Sequence, residues 1–203
     1  HSMSSEVAER PLREIYLPPF RAAVQEAGVW AVMSSYNRVN GAYASDSRWL
    51  LTDLLKDEWG FDGIVMSDWG GTYSTVPAAN AGLDIEMPGP ARQRGDRLKQ
   101  AVAAGEVDTA MIDDSVRRIL RTIERVGAFE NPVIPREQAV DKPEHRALAR
   151  EAAAESIVLL KNDRQVLPLD LGAIKTIAII GPNAKTARIM GGGSSRVNPH
   201  YTV

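Results

Sequence analysis

Apolar positions recur at alternating helical and strand spacings along the first half of the chain. From Arg10 to Ala27 they follow a helical period that Pro18 and Pro19 interrupt and Gly28 closes. This pattern predicts a broken helix or two short helices. The continuous apolar run Val29–Ser34 comes next, and such a run is typical of a strand buried on both faces of a parallel sheet.

The following residues repeat this order of helix and strand. Ser45 or Asp46 is predicted to cap a helix whose apolar face lies between positions 49 and 59, and Gly60 is predicted to end it. Further elements are predicted, in chain order, as a strand at Gly63–Ser67, a helix at Val76–Ala81, a strand at Leu83–Glu86 and helices at Arg92–Ala104 and Thr109–Val126. Strands alternating with helices indicate parallel β/α units, so the predicted fold class is α/β.

A change of pattern divides the chain. Between positions 129 and 143 the apolar period disappears and prolines become frequent, which predicts a linker over residues 129–143. A long helix from Glu144 to about Lys161 and a strand at Thr176–Ile180 are predicted to open a second α/β domain. We therefore expect one domain over residues 1–128 and the beginning of another, incomplete, over residues 144–203.

Composition and charge exclude several classes of function. The 24 Lys and Arg residues nearly balance the 26 Asp and Glu residues, so the net charge of −2 gives no field that would favour nucleic acid or an anionic membrane. The apolar runs are far shorter than the roughly 20 residues that span a bilayer. The chain has no cysteine, and its three histidines do not have the spacing of metal ligands. We predict no metal, no nucleic acid partner and no membrane partner, and the sequence assigns no compartment.

Two glycine-containing segments invite comparison with nucleotide-binding loops. After the predicted strand Thr176–Ile180, Gly181 is followed by Pro182, which lacks the backbone N–H that such a loop would use. The run Gly191–Ser195 is not followed by the Lys and Ser or Thr of a phosphate-binding loop. We predict a flexible loop that offers a hydroxyl group, and no nucleotide or other cofactor.

Polar side chains end three of the predicted strands, in the segments Ser34–Asn37, Ser67–Trp69 and Asp84–Glu86. Reactive groups in parallel β/α folds lie at the carboxyl ends of the strands, where the following loops converge. Glycoside hydrolysis needs two carboxyl groups beside the anomeric carbon, one of them ionised. Asp68 is placed for that ionised role, although a strand-end carboxylate also serves as a helix cap or an ion-pair partner.

The neighbours of Asp68 allow a functional and a structural interpretation. Trp69 would offer a flat apolar face to a sugar ring, or would simply pack. Tyr36 would donate its hydroxyl to the ionised carboxylate, or would be a core tyrosine. Asp84 or Glu86 would be the second carboxylate, or would form an ion pair with an arginine inside the sheet.

Five motifs occur here in the order that one known family shows. They are Val32–Gly41, Leu51–Trp69, Leu83–Gly89, Ala154–Asn162 and Ile177–Ala184. Over nearly all of the chain from Glu9 to Val197, the sequence closely resembles glycoside hydrolase family 3. The resemblance lies around the residue that attacks the sugar in that family.

This resemblance implies the C-terminal part of a (β/α)8-type barrel followed by the start of an α/β sandwich domain. It implies a retaining exo-β-glycosidase, with a β-glucosidase as the first expectation and a carbohydrate or glycoside as the partner. Asp68 would be the catalytic nucleophile. Tyr36, Trp69 and Met33 would belong to the sugar site, and Ser194 would reach a sugar hydroxyl.

Some residues of the family pattern have no match in this chain. The Lys-His pair and the upstream Arg and Asp that hold sugar hydroxyls in the family precede the region with which the chain begins, and the general acid/base lies beyond the region with which it ends. We therefore expect an incomplete active site that needs the remaining part of the same enzyme. The alternatives are β-xylosidase, arabinofuranosidase or N-acetylglucosaminidase activity, removal of sugar from a natural product, and a non-catalytic sugar-binding fragment.

Overall fold

The computed structural model describes residues 3–136 and 140–186, and the chain divides into two compact units, His1–Ile134 and Pro135–Val203. The described strands are β1 (Ser4–Ser5), β2 (Ala31–Ser34), β3 (Arg38–Val39), β4 (Ala42–Tyr43) and β5 (Ile64–Ser67). The α-helices of the first unit are Glu9–Pro11, Pro18–Gln25, Val76–Ala81, Asp96–Ala103 and Thr109–Arg125. It also contains the π-helical segments Leu12–Tyr16 and Trp49–Glu58 and the 3-10 turn Ala44–Asp46.

Two parallel strands organise the first unit. β2 pairs with β5 in a register that places Ser34 opposite Ser67. The predicted third strand at Leu83–Glu86 is reduced to a single parallel bridge at Ile85. The reason is local: the N–H of Val65 donates to the side-chain carboxylate of Asp84 (2.8 Å) instead of to a backbone carbonyl, so a regular ladder does not form.

The core of the unit lies between β5 and the π-helical segment Trp49–Glu58. The wide turn of this segment shows in the bond from the N–H of Trp59 to the carbonyl of Leu54, five residues earlier (3.0 Å). The buried residues of this core are Leu51, Leu54, Leu55, Trp59, Phe61, Val65, Ala78, Ala81 and Leu83. Gly63 permits the close approach at the start of β5, because a Cβ there would lie 2.2 Å from the carbonyl oxygen of Trp30.

The segment after β2 forms a small three-stranded sheet together with β1. β1 pairs in parallel with β3, and β3 pairs antiparallel with β4. The side chain of Asn40 binds the segment that follows β1, because it accepts from the N–H of Val7 (2.8 Å) and donates to the Val7 carbonyl (2.9 Å). This sheet was not predicted, since its strands are only two residues long.

Several predicted elements are confirmed, with local differences. The helix Val76–Ala81 has the predicted bounds, and the helical region near Pro18 is broken as expected. The predicted cap at Ser45 or Asp46 is wrong, because those residues form their own 3-10 turn and the hydroxyl of Ser47 accepts from the N–H of Leu50 instead (3.3 Å). Burial of β2 on both faces is also wrong for the described residues, since the side chain of Met33 is 52% exposed.

The described part of the second unit contains the α-helix Pro143–Ser156 and the 3-10 turn Pro182–Ala184. The predicted helix to Lys161 ends early, because Ile157 takes an extended backbone conformation. The strand predicted at Thr176–Ile180 does not form, because among the described residues no other strand pairs with this segment. Across the described ranges, no helix combines the length and the apolar character needed to cross a membrane.

One buried ion pair joins the helical layer to the segment beside β5. The ammonium of Lys56 lies 3.2 Å from the carboxylate of Asp84, and the side chains are 6% and 0% exposed. Asp84 also accepts from the hydroxyl of Ser115 (2.8 Å), while Lys56 donates to the carbonyl of Gly82 (2.8 Å). Burial lowers the pKa of Lys56, and the charge of Asp84 opposes that shift. The pair therefore fixes the segment 82–84 against Trp49–Glu58.

Removal of one partner from this buried pair should destabilise the protein strongly. We expect Asp84→Ala to lower the free energy of unfolding by about 3–5 kcal/mol, because the buried Lys56 charge would keep only the more distant carboxylate of Asp114, at 3.8 Å. Urea denaturation measures the change. The matched control is Glu14→Ala, which breaks the exposed pair with Arg10 (60% and 84% exposed) and should have a much smaller effect. Equal losses from the two variants would contradict this role of Asp84.

Candidate active site

Asp68 is the first residue after β5 and lies at the carboxyl edge of the parallel pair. Its N–H donates to the carbonyl of Ser34 at the end of β2 (3.1 Å), which continues the pairing one residue beyond the strand. Its carbonyl accepts from the N–H of Gly71 (2.8 Å), so the chain turns at once. Its carboxylate oxygen Oδ1 accepts from the N–H of Trp69 (2.6 Å). Two of these hydrogen bonds hold the backbone of Asp68, and the one from Trp69 orients its carboxylate.

Three buried serines lie beside Asp68. The hydroxyls of Ser34 and Ser45 are 2.8 Å apart, and Ser45 donates to the carbonyl of Gly71 (2.8 Å). The hydroxyl of Ser67 accepts from the N–H of Met87 (2.9 Å). All three side chains are buried, and satisfied buried polar groups make a rigid support. This role of Ser45 was not predicted, because its only signal in the sequence is its position before a helix.

Tyr36 contacts Asp68 as the sequence suggested. Its hydroxyl donates to the carbonyl of Trp69 (2.8 Å) and also hydrogen-bonds to the Asp68 carboxylate, so two acceptors share one phenolic proton. The hydrogen bond to Asp68 is the largest cause that raises the pKa of Tyr36, followed by burial and by the negative charge of Asp68. Tyr36 is therefore held in its neutral, donating form next to the carboxylate.

Two other predicted site residues, Trp69 and Met33, have half-exposed side chains. Trp69 follows Asp68 with a side chain that is 51% exposed, and it borders a cavity of about 440 Å³ that the segment 86–92 also lines. Met33 lies on β2, one residue before Ser34, and its side chain is half exposed. The structure thus brings Asp68 and Trp69 together with Tyr36. Ser194 lies outside the described residues.

An aromatic cluster that the sequence analysis did not single out lies close to Asp68. The rings of Tyr43 and Tyr73 stack with centroids 4.1 Å apart, and the guanidinium of Arg38 lies 4.4 Å from the centre of the Tyr43 ring. Burial raises the pKa of the Tyr73 phenol, and the charges of Tyr43 and Asp68 add to the shift. These side chains come from β3, β4 and the loop after Asp68, and no periodicity links them.

Neither carboxylate of the third strand end is available as a second catalytic group. Asp84 is fully buried, and its ion-pair partner is Lys56, not the arginine that the sequence suggested. Both carboxylate oxygens of Glu86 accept from the backbone N–H groups of Arg92, Gln93 and Arg94. Within the described residues, no cluster of three or more His, Cys, Asp or Glu side chains has an arrangement that could hold a metal ion.

Comparison with known families gives two consecutive matches. Residues 1–122 match the model described as the glycosyl hydrolase family 3 N terminal domain, and residues 157–203 match that of the glycosyl hydrolase family 3 C-terminal domain. A β-glucosidase of Rhizobium radiobacter is 59% identical over all of this chain and 25% of its own length. Beta-glucosidase B of Emericella nidulans is 47% identical over all of this chain and 24% of its own length. The chain spans about a quarter of these relatives.

Solved structures give the same picture. A β-glucosidase from Kluyveromyces marxianus superimposes with a TM-score of 0.71 at 44% identity, covering 82% of this chain and 21% of that one. Beta-glucosidase 3B from Thermotoga neapolitana, solved in complex with glucose, superimposes with a TM-score of 0.70 at 39% identity, covering 82% and 24%. The described fold is therefore that of part of these enzymes.

The hydrogen bond between Tyr36 and Asp68 leads to a titration test. We expect Tyr36 to ionise above the ordinary range of tyrosine, because its proton is held against a carboxylate. Ultraviolet difference titration of the protein against its Tyr36→Phe variant isolates this phenol. In the Asp68→Asn variant the same difference should move to lower pH, because the negative charge is removed. An unchanged titration in Asp68→Asn would contradict the contact.

Proposed function

The chain belongs to glycosyl hydrolase family 3, and we propose that the protein carrying it is a retaining exo-β-glycosidase that releases terminal β-D-glucosyl residues. The observation that carries the proposal is the Asp68 carboxylate at a strand end, with the N–H of Trp69 and the hydroxyl of Tyr36 hydrogen-bonded to it. The name β-glucosidase of relatives up to 59% identical supports glucose as the sugar.

In the first step, one oxygen of Asp68 attacks the anomeric carbon. A bond forms between this oxygen and the carbon while the bond to the leaving oxygen breaks, and an acid protonates the departing group. The hydrogen bonds from Trp69 and Tyr36 hold the carboxylate in one orientation before the attack. The exposed ring of Trp69 offers an apolar surface to the pyranose.

In the second step, water replaces Asp68 at the anomeric carbon. A base takes the proton of the water, the ester bond to Asp68 breaks, and glucose leaves with its β configuration retained. Asp84 and Glu86 are engaged by Lys56 and by backbone N–H groups, so we assign the acid/base role to a group outside the described residues.

We further propose that the first unit corresponds to the C-terminal part of a (β/α)8-type barrel. The parallel pairing of β2 and β5, with the helical segment Trp49–Glu58 between them in the chain, supports this assignment. Asp68 then lies at the face of the barrel on which active sites of this fold are found. Residues 144–203 would begin the sandwich domain, and Ser194 would reach a sugar hydroxyl from there.

Loss of the nucleophile should abolish turnover but leave binding groups in place. In the full-length protein we expect Asp68→Ala to lower kcat for an aryl β-glucoside by at least about 1,000-fold, as for other residues that attack the substrate covalently. Asp57→Asn, on the exposed side of Trp49–Glu58, is the matched control and should be unaffected. Normal turnover by Asp68→Ala would exclude Asp68 as nucleophile.

Azide gives a second reading of the same variant. A small anion can occupy the space left by the Asp68 carboxylate and attack the anomeric carbon from the same side, which forms an α-glucosyl azide while the aryl group leaves. We expect this product from Asp68→Ala, by nuclear magnetic resonance, and not from Asp57→Asn. A β-glucosyl azide would place the missing carboxylate in the acid/base role instead.

The choice of sugar is tested on a panel of aryl glycosides. We expect the highest kcat/KM for the β-glucoside, with lower values for the β-xyloside, the arabinofuranoside and the N-acetylglucosaminide. A higher kcat/KM for one of these three would keep the family mechanism but correct the substrate. No turnover of any glycoside by the full-length protein would favour a non-catalytic sugar-binding role.

A further inference from the structure

Glu86 makes an unusual set of contacts for a carboxylate beside an active site. Its Oε1 accepts from the N–H of Arg92 (2.9 Å), and its Oε2 accepts from those of Gln93 (2.9 Å) and Arg94 (2.8 Å). Three consecutive N–H groups directed at one anion form a nest, and hydrogen bonds to a charged acceptor are the stronger kind. Glu86 therefore closes the loop 87–94 onto its own carboxylate.

This loop has few other means of holding its shape. Pro88 and Pro90 have no N–H to donate, so they cannot add backbone bonds as donors. The loop is fixed at its far end. There the carbonyl of Gln93 accepts from the hydroxyl of Thr75 (2.7 Å), and the guanidinium of Arg94 donates to the carbonyl of Leu83 (2.7 Å). The three contacts with the Glu86 carboxylate also fall at this far end, on residues 92–94, and they tie it to the residue that directly precedes Met87.

The near end of the loop contacts the residues on both sides of Asp68. The N–H of Met87 donates to the hydroxyl of Ser67 (2.9 Å), which precedes Asp68. The carbonyl of Met87 accepts from the N–H of Gly70 (2.8 Å), which follows Trp69. Any displacement of the loop would therefore move the backbone that carries Asp68 and Trp69.

We propose that Glu86 is a positioning residue for the nucleophile. Through Met87 its carboxylate holds the backbone of residues 67–70 in place, and it also sets the wall of the cavity that Trp69 borders. This inference rests on the proposed function, because it assigns Glu86 to the same reaction. Glu86 is not proposed to touch the sugar, because its carboxylate oxygens accept from backbone N–H groups.

The test compares Glu86→Ala with Glu26→Gln in the full-length protein. Glu26 is exposed on a helix end of the same unit and should have no effect. For Glu86→Ala we expect kcat for an aryl β-glucoside to fall by about 10–100-fold, because small displacements of reacting groups have effects of this size. KM should change much less, since a displaced nucleophile affects mainly the chemical step.

Chemical rescue separates positioning from a general loss of structure. Formate is a small carboxylate that fits the space left by Glu86, and we expect it to raise kcat of Glu86→Ala at least about fivefold by rebinding the three N–H groups. The product should still be β-glucose, with no glucosyl formate. Glu86→Gln, which keeps the shape but lacks the charge, should be impaired and not rescued.

Several results would overturn the inference. They are a kcat of Glu86→Ala near that of the unsubstituted protein, a loss that formate does not reverse, and a glucosyl formate product, which would make Glu86 a reacting group. Each of these can occur while the unsubstituted protein hydrolyses glucosides and depends on Asp68, so the proposed function would survive. Absence of glycoside turnover by the unsubstituted protein would instead contradict the proposed function.

Discussion

The parallel register of β2 and β5 is the constraint on which the site depends. Because Ser34 lies opposite Ser67, the residues that follow the two strands leave the sheet at the same edge. The loop after β2 supplies Tyr36, and the loop after β5 supplies Asp68 and Trp69. A slip of one residue would turn every side chain of one strand to the other face and separate the phenol from the carboxylate. Ser34 adds a contact across this register, because its hydroxyl lies 3.4 Å from the carbonyl of Met66 on β5.

Two further sets of contacts support the residues next to the ends of the strands. The buried pair of Lys56 and Asp84 holds the segment next to β5 against the helical layer, and Asp84 takes the backbone N–H of Val65 that a third strand would otherwise use. Two residues later, the carboxylate of Glu86 binds the loop that follows it. Met87 hydrogen-bonds to Ser67 and Gly70, on the two sides of Asp68. Asp84 and Glu86, which the sequence offered as catalytic candidates, therefore bind other parts of the chain through their carboxylates.

Local signals predicted those parts of the structure that local physics determines. Apolar spacing and Gly82, which adopts a φ of 96°, set the bounds of Val76–Ala81, and the rule that parallel strands end at one edge placed Tyr36 near Asp68. The pairing of Lys56 with Asp84, 28 positions apart, depends on how elements pack, and periodicity carries no such information. The segment Thr176–Ile180 has the composition of a strand, yet a strand forms only where a neighbour accepts its hydrogen bonds. The resemblance to the family supplied the expected role of each site residue. It depends on the order of several motifs, which no single element reveals.

The proposed mechanism requires that Asp68 become covalently bound to the sugar. An activated 2-fluoro glucoside tests it directly, because the fluorine slows the second step and the glycosyl-enzyme accumulates. After the full-length protein is treated and digested, mass spectrometry should find one 2-fluoroglucosyl group on the peptide that contains Asp68, and none after the same treatment of Asp68→Ala. A sugar attached to a different carboxylate, or an active enzyme that never accumulates the adduct, would contradict this role of Asp68.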